Sequence, residues 1–204
     1  HLMLVAIVQQ LNGRWPHALI ALSHSSKASS RQRAAVASLR KIALRKHRID
    51  LNTLSYCLPR WIRQKMMAWG LVTEADIDMI IDASGFSYSD QWPSKVRILH
   101  VKNELLRFKR HNKPYLFLPQ AFGPFTTASS RRHIADTFDC AAMICARDQI
   151  SYEHIKGLTG SIPNLYQYGD FTNLAAGVVP ASFDRQQRWA CIVPNKNMVN
   201  PRNV

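Results

Sequence analysis

The 204 residues, 47% hydrophobic and 20% charged, are enough to bury a substantial core, which excludes a peptide hormone or a disordered tail. Eight glycines and ten prolines without a repeat exclude collagen-like and low-complexity chains. The formal charge of +14 is unevenly placed: residues 1–65 hold 12 Lys and Arg against one acid, Asp50, whereas residues 66–204 hold 15 against 12.

Leu2, Val5, Ala6, Val8 and Leu11 recur at helical spacing, and Asn12-Gly13 followed by Pro16 ends that helix. The apolar run at residues 18–22 reads as a buried strand. Ser29-Ser30 stand where they can cap a second helix, with Ala35, Val36, Leu39, Ile42, Ala43 and Lys46 as its apolar stripe and Arg and Lys on the other face. The basic excess is concentrated in residues 27–65. Such a stretch suits an anionic partner, whether nucleic acid, a membrane surface or an acidic polymer, and it is equally the pattern of a solvated helix face.

A less regular stretch with Pro59 and Gly70 leads to a strand over residues 77–81, interrupted at its end by Asp82-Ala83-Ser84-Gly85. Residues 94–111 have helical periodicity, and Arg107, Lys109, Arg110 and His111 suit the negative end of the helix dipole. A strand over residues 115–118 runs into Pro119-Gln120 and Gly123-Pro124. Then come a helix over 130–138, a strand over 141–145, a helix over 149–156 and a strand over 166–168. This alternation argues for an α/β, Rossmann-like parallel sheet with helices on both faces, whose ligands gather at the carboxyl ends of the strands. A last strand, residues 190–193, follows a polar linker and reads as the opening of another domain. The expected division is therefore a Rossmann-like domain over residues 1–183, its first strand and loop missing, and a linker plus the first strand of a C-terminal domain over 184–204. A chain truncated at both ends is expected.

Cys57, Cys140, Cys145 and Cys191 have neither paired C-x2-C spacing nor the density of a disulfide scaffold, and read as reduced, mostly buried cysteines of a cytoplasmic protein. Eight histidines without an H-x3-H pair give no reason to expect a metal. The first 16 residues lack the basic start and cleavage site of a signal peptide, and no window has the roughly 18 apolar residues of a membrane span.

Three segments that follow strands carry the informative residues: IDMIIDASGFSYSDQW (77–92), LFLPQAFGPF (116–125) and ICARDQISYEHI (144–155). In this order they resemble the polysaccharide pyruvyl transferase family, and CIVPNKNMV (191–199) is similar to the first strand of that family's C-terminal half. The resemblance is good over residues 77–199 and looser before. It implies the N-terminal half of a two-domain, glycosyltransferase-B-like architecture. It further implies transfer of pyruvate from phosphoenolpyruvate to a hydroxyl pair of a cell-surface glycan or its lipid-linked precursor, as a ketal, with phosphoenolpyruvate as donor substrate and no cofactor. The family's catalytic acid is implied on the C-terminal half, so this fragment alone is expected to be inactive.

Arg147 matches the Arg of the family's Arg-Asp-x-x-Ser motif, which implies contact with phosphoenolpyruvate. Its place between a strand and a helix suits an anion; the alternative is a loop-holding pair with Asp148 or Asp82. Asp148 is expected to cap the following helix, with Ser151 in its first turn. Asp82, Ser84, Gly85 and Asp90 form a second cluster. There Gly85 allows close backbone approach, Ser84 suits a phosphate or sugar hydroxyl, and Asp82 is either a general base or a carboxylate satisfied by loop amides. Gln120 either faces the cleft or satisfies loop backbone, and Gly123 beside Pro124 allows positive φ. The basic segment 27–65 would attract anionic acceptors, lipid-linked glycan phosphates or the inner face of a membrane. With no zinc finger, RNP strand or helix-turn-helix, no specific nucleic acid is expected. A nucleotide-sugar glycosyltransferase of the same shape is the other enzyme reading, and the donor distinguishes the two.

Overall fold

The longest strand is the apolar run YLFLPQAF, β8 (Tyr115–Phe122), and the main sheet is built around it. A computed structural model of the chain describes residues 2–23, 39–46, 49–90, 95–179, 181–184 and 186–188. Along the chain it places α1 (Leu2–Arg14), β1 (Ala21–Ser23), β2 (Leu39–Lys41), β3 (Arg45–Lys46), β4 (Ile49–Asp50), α2 (Arg60–Ala68), β5 (Leu71–Val72), β6 (Ile80–Asp82) and β7 (Phe86–Tyr88). There follow α3 (Lys95–Arg110), β8, α4 (Ala128–Phe138), β9 (Met143–Ala146), α5 (Gln149–Thr159) and β10 (Leu165–Gln167). Short 3-10 turns occupy Asn52–Cys57, Glu74–Asp76 and Phe171–Leu174.

The main sheet runs β10-β9-β8-β6, all pairs parallel, with β7 also parallel to β8. Helices flank this sheet, and α4 packs between α3 and α5. Their shared core includes Tyr88, Leu105, Phe117, Phe122, Ile134 and Phe138, an edge-to-face aromatic cluster. A second parallel sheet, β1-β2-β5, and the small antiparallel β3-β4 ribbon complete the α/β, Rossmann-like fold.

Several readings of the sequence are corrected. The helix expected to run to Lys46 has already given way to strand at Leu39–Lys41, because β2 is held on both sides: it pairs with β1, Leu22 opposite Arg40, and with β5, where Arg40 N donates to Gly70 O and Ile42 N to Val72 O. Residues 24–38, with the Ser29-Ser30 cap, lie outside the described residues, as does the strand expected at 190–193. The stretch around Pro59 and Gly70 is ordered: Pro59 is the N-cap of α2, and Gly70, at φ 75°, closes its C-terminus by donating to Met67 O. Finally, β8 does not stop at Leu118. A register shift between Phe117 and Gln120 absorbs Pro119, which has no N–H to offer the ladder, and the strand continues to Phe122.

Arg107 does not serve the C-terminus of α3. It is buried, with Nε 2.6 Å from Glu74 Oε1, Nη2 2.8 Å from Glu74 Oε2 and Nη1 3.1 Å from Asp50 Oδ2. Asn52 donates to Asp50 through its backbone N and side-chain Nδ2, and the Tyr56 hydroxyl donates to Glu74 Oε1. One guanidinium thus fastens the ribbon and both 3-10 turns that precede β6 to α3. Of the cysteines, Cys57 is exposed, Cys140 half-buried and Cys145 buried, the last with its thiol pushed up to about 11 by burial. The expectation of mostly buried cysteines therefore fits Cys145 and fails at Cys57.

Candidate active site

Parallel strands end together, so the loops that follow them share one edge, and residues 120–123, 146–148 and 168–170 meet there. The backbone fixes the order across the sheet. Ala121 N donates to Gly85 O at 2.9 Å, and Arg147 N donates to Gln120 O at 3.1 Å. Gly85, Gln120 and Arg147 therefore lie in one row, with Gly85 and Arg147 on opposite sides of β8 and about 10 Å apart, two strand spacings.

Asp82 sits lower. The segment Asp82–Gly85 is no terminal loop but a break between two pieces of strand, for Asp82 pairs with Phe117 and Phe86 with Ala121 along the same β8. The Asp82 carboxylate accepts from Ser84 N at 2.8 Å, from the Ser84 hydroxyl, from the Tyr88 hydroxyl and from the Tyr115 hydroxyl at 3.2 Å. Of these four donors one is a loop amide, and two are tyrosine hydroxyls from β7 and β8. Burial, with the neighbouring Tyr88 and the Asp82 charge, pushes the Tyr115 phenol well above its ordinary value, so it stays protonated as donor. At Gly85, φ is 75°, and a Cβ would lie 3.0 Å from Met3 Sδ, so the space opened by this glycine is taken by α1.

Asp90 is engaged as well. Its carboxylate accepts from Thr126 N, from Thr126 Oγ1 at 2.8 Å and from Thr127 N at 3.3 Å, at the N-terminus of α4. Gly123, at φ 81°, packs directly on the ring of His154, and the Gly123-Pro124 peptide is cis. Asp148 caps α5 as expected, accepting from Ser151 N at 2.8 Å. The Ser151 hydroxyl in turn accepts from Phe122 N at 3.0 Å and ties the helix to the end of β8.

Arg147 is the cation of this edge. Its side chain is 35% exposed, and Nη1 lies 3.5 Å from Asp170 Oδ2. The partner is thus neither Asp148 nor Asp82. Asp170 caps the 171–174 turn, accepting from Thr172 N at 2.9 Å and Thr172 Oγ1 at 2.8 Å; these bonds and the nearby Arg147 hold its carboxyl below the usual range. Asp170 was missed in the sequence, although Asp-x-Thr ahead of a turn is a capping signal. A half-exposed pair of this length is weakly bound, so an anion can take the guanidinium from it.

Gln120 is wholly buried, on the same face as Phe117 because of the bulge, and neither atom of its carboxamide has a partner. An unsatisfied buried amide costs about 1–3 kcal/mol. Gln120→Met, which keeps the volume, is expected to raise stability by about 1 kcal/mol in urea unfolding; a lower midpoint would mean that the carboxamide is satisfied in solution. Among the described residues no three His, Cys, Asp or Glu side chains converge as a metal site would require, and no helix is long and apolar enough to cross a membrane. A cleft between α4 and α5, lined by Phe125, Arg131, Glu153, His154, Gly157 and Leu158, contains none of the expected site residues.

A parallel α/β sheet with an arginine and a helix N-terminus at its carboxyl edge defines a Rossmann-like domain. The family model for polysaccharide pyruvyl transferase matches residues 1–201, and the chain belongs to that family of transferases. No curated protein and no solved structure matches the chain.

Proposed function

We propose that the protein transfers pyruvate from phosphoenolpyruvate to two hydroxyls of a cell-surface glycan or its lipid-linked precursor. In the balanced reaction C3 of the donor gains a proton, C2 forms two C–O bonds to the sugar, and the bond from C2 to the phosphate oxygen breaks. Of the two hydroxyl protons, one offsets that taken up at C3 and the other leaves with inorganic phosphate. The observation that carries this reading is the family match together with the place of Arg147, a solvent-reachable guanidinium in a weak pair beside the start of α5. Its fork suits the carboxylate or the departing phosphate of the donor. Gly85 and Gln120 complete the row beside it, while Asp82 and Asp90 are assigned to holding their loops, since their carboxylates already accept several hydrogen bonds each. The basic segment 27–65 is proposed to bring the protein to an anionic surface where lipid-linked acceptors reside.

The test is phosphoenolpyruvate-dependent phosphate release by the full-length protein with polymeric and lipid-linked glycan acceptors. Arg147→Ala is expected to lower the rate by at least about 100-fold, and Arg147→Lys, which keeps the charge and loses the fork, by less. Unchanged release in the alanine variant would remove Arg147 from the site. No release with any acceptor, and no phosphoenolpyruvate binding by calorimetry, would overturn the transferase reading.

A further inference from the structure

Helix α2 is attached to the body by its inner side, where Arg63 pairs with Asp76 and donates to Leu58 O. Its other face is turned wholly to solvent and carries Arg60, Trp61, Gln64, Lys65, Ala68 and, just past the last turn, Trp69. Trp61, Lys65 and Trp69 stand at i, i+4 and i+8, one stripe along the helix. Trp61 is 59% exposed and Trp69 85% exposed, and Lys65 Nζ lies 5.3 Å from the centre of the Trp61 ring. Scattered apolar residues on a surface need no explanation, but two tryptophans aligned with cations on one outward stripe do. The segment leading into the helix adds Ile49, Leu51 and Leu54, all exposed.

Over residues 1–65 the charge has nearly one sign, and the carboxylate that reaches α2, Asp76, is taken by Arg63 on the inner side. The single acid of residues 1–65 is Asp50, and its carboxylate is buried under Arg107 and Asn52. The described surface of this part therefore offers cations and no carboxylate. Indole rings favour the boundary between headgroups and acyl chains, Lys and Arg there reach the phosphates, and exposed Ile and Leu gain by leaving water. Aliphatic side chains find no such gain against the hydroxyls of a glycan.

We propose that the outer face of α2, through Trp61 and Trp69 flanked by Arg60 and Lys65, is the surface that docks on an anionic phospholipid bilayer. This deepens the proposed membrane contact and rests on it, and it is independent of the pyruvyl transfer. The probes are sedimented vesicles of phosphatidylcholine alone and of phosphatidylcholine with phosphatidylglycerol. The full chain is expected to bind the anionic vesicles, and Trp61→Ala/Trp69→Ala to weaken that binding at least about tenfold with an unchanged thermal midpoint. Arg60→Glu/Lys65→Glu, which leaves the indoles in place, is expected to weaken it as strongly and to flatten its salt dependence. Binding that survives both pairs of substitutions would keep the membrane contact and overturn α2 as its surface. No binding to anionic vesicles would overturn both. Equally tight, tryptophan-dependent binding to an anionic polysaccharide without lipid would reassign the face to a glycan.

Discussion

Arg107→Met is expected to destabilise the protein by about 3–5 kcal/mol, the cost of leaving a buried ion pair without one partner. Glu74 is 1% exposed and Asp50 is buried beside it, and the guanidinium supplies three of the short contacts around their oxygens. Methionine fills the space of the stem but leaves two carboxylates facing only Tyr56, Asn52 and His100, whose Nδ1 lies 3.8 Å from Asp50 Oδ2. The loss should depend on pH in a defined sense. Burial pushes the Asp50 carboxyl up, while the Asn52 hydrogen bonds and the Arg107 charge pull it down further, so its folded value lies below the ordinary carboxylate range. The stability from a depressed carboxylate is present above its unfolded value and is lost as pH falls through the folded one. The gap between wild type and variant in urea unfolding is therefore expected to be widest near neutrality and to narrow below about pH 4, where the Asp50 contribution to wild type is lost. Arg107→Met/Glu74→Gln should recover part of the loss. An equal gap at both pH values would assign the effect to packing rather than to charge.

Much of the α/β alternation could be read from apolar runs, and the particular residues show where such reading stops. The helices over 2–14 and 95–110 announce themselves by period, and α5 by its Asp148 cap. Leu39–Lys41 carries a helical pattern as well as a strand pattern, and only its two neighbouring strands decide between them. The stretch with Pro59 and Gly70 read as less regular, whereas these two residues bound one helix. Arg107 fits the last turn of a helix and in fact belongs to two carboxylates, 33 and 57 residues earlier, that no local pattern connects to it.

The same limit separates the site residues. Arg147, Asp148 and Gly123 were legible because their surroundings are local: a strand end, a cap, a positive φ. The partners were not, since Asp170, Met3 and His154 come from distant parts of the chain. The break between β6 and β7 also moves Asp82 and Ser84 down the sheet, a shift that follows from pairing with β8 and has no mark in the sequence. What remains at the exposed edge is Arg147, and with it the anion chemistry proposed for the family's donor.

Gly123→Ala is expected to destabilise by about 2–5 kcal/mol, through two separable effects. At φ 81° an alanine is strained wherever it stands, by about 1–3 kcal/mol. Its Cβ would also lie 2.5 Å from His154 Cδ2, 2.7 Å from Cγ and 3.0 Å from Cβ. The last of these atoms is fixed to the α5 backbone, so no rotamer of His154 clears the contact, and relief must come from moving the loop or the helix. Either movement pulls on the Ser151 bond to Phe122 and on Asp90, whose N donates to Pro124 O and whose carboxylate holds Thr126. The consequence reaches function, because α5 begins directly after Arg147, and a helix pushed away from β8 carries the guanidinium with it. His154→Ala in the same chain should relieve the ring contacts and leave the Cβ contact and the backbone strain, so the double variant is expected to lie between Gly123→Ala and wild type in urea midpoint. A double variant no better than Gly123→Ala would mean that the ring contact contributes nothing, and that positive φ alone demands glycine here.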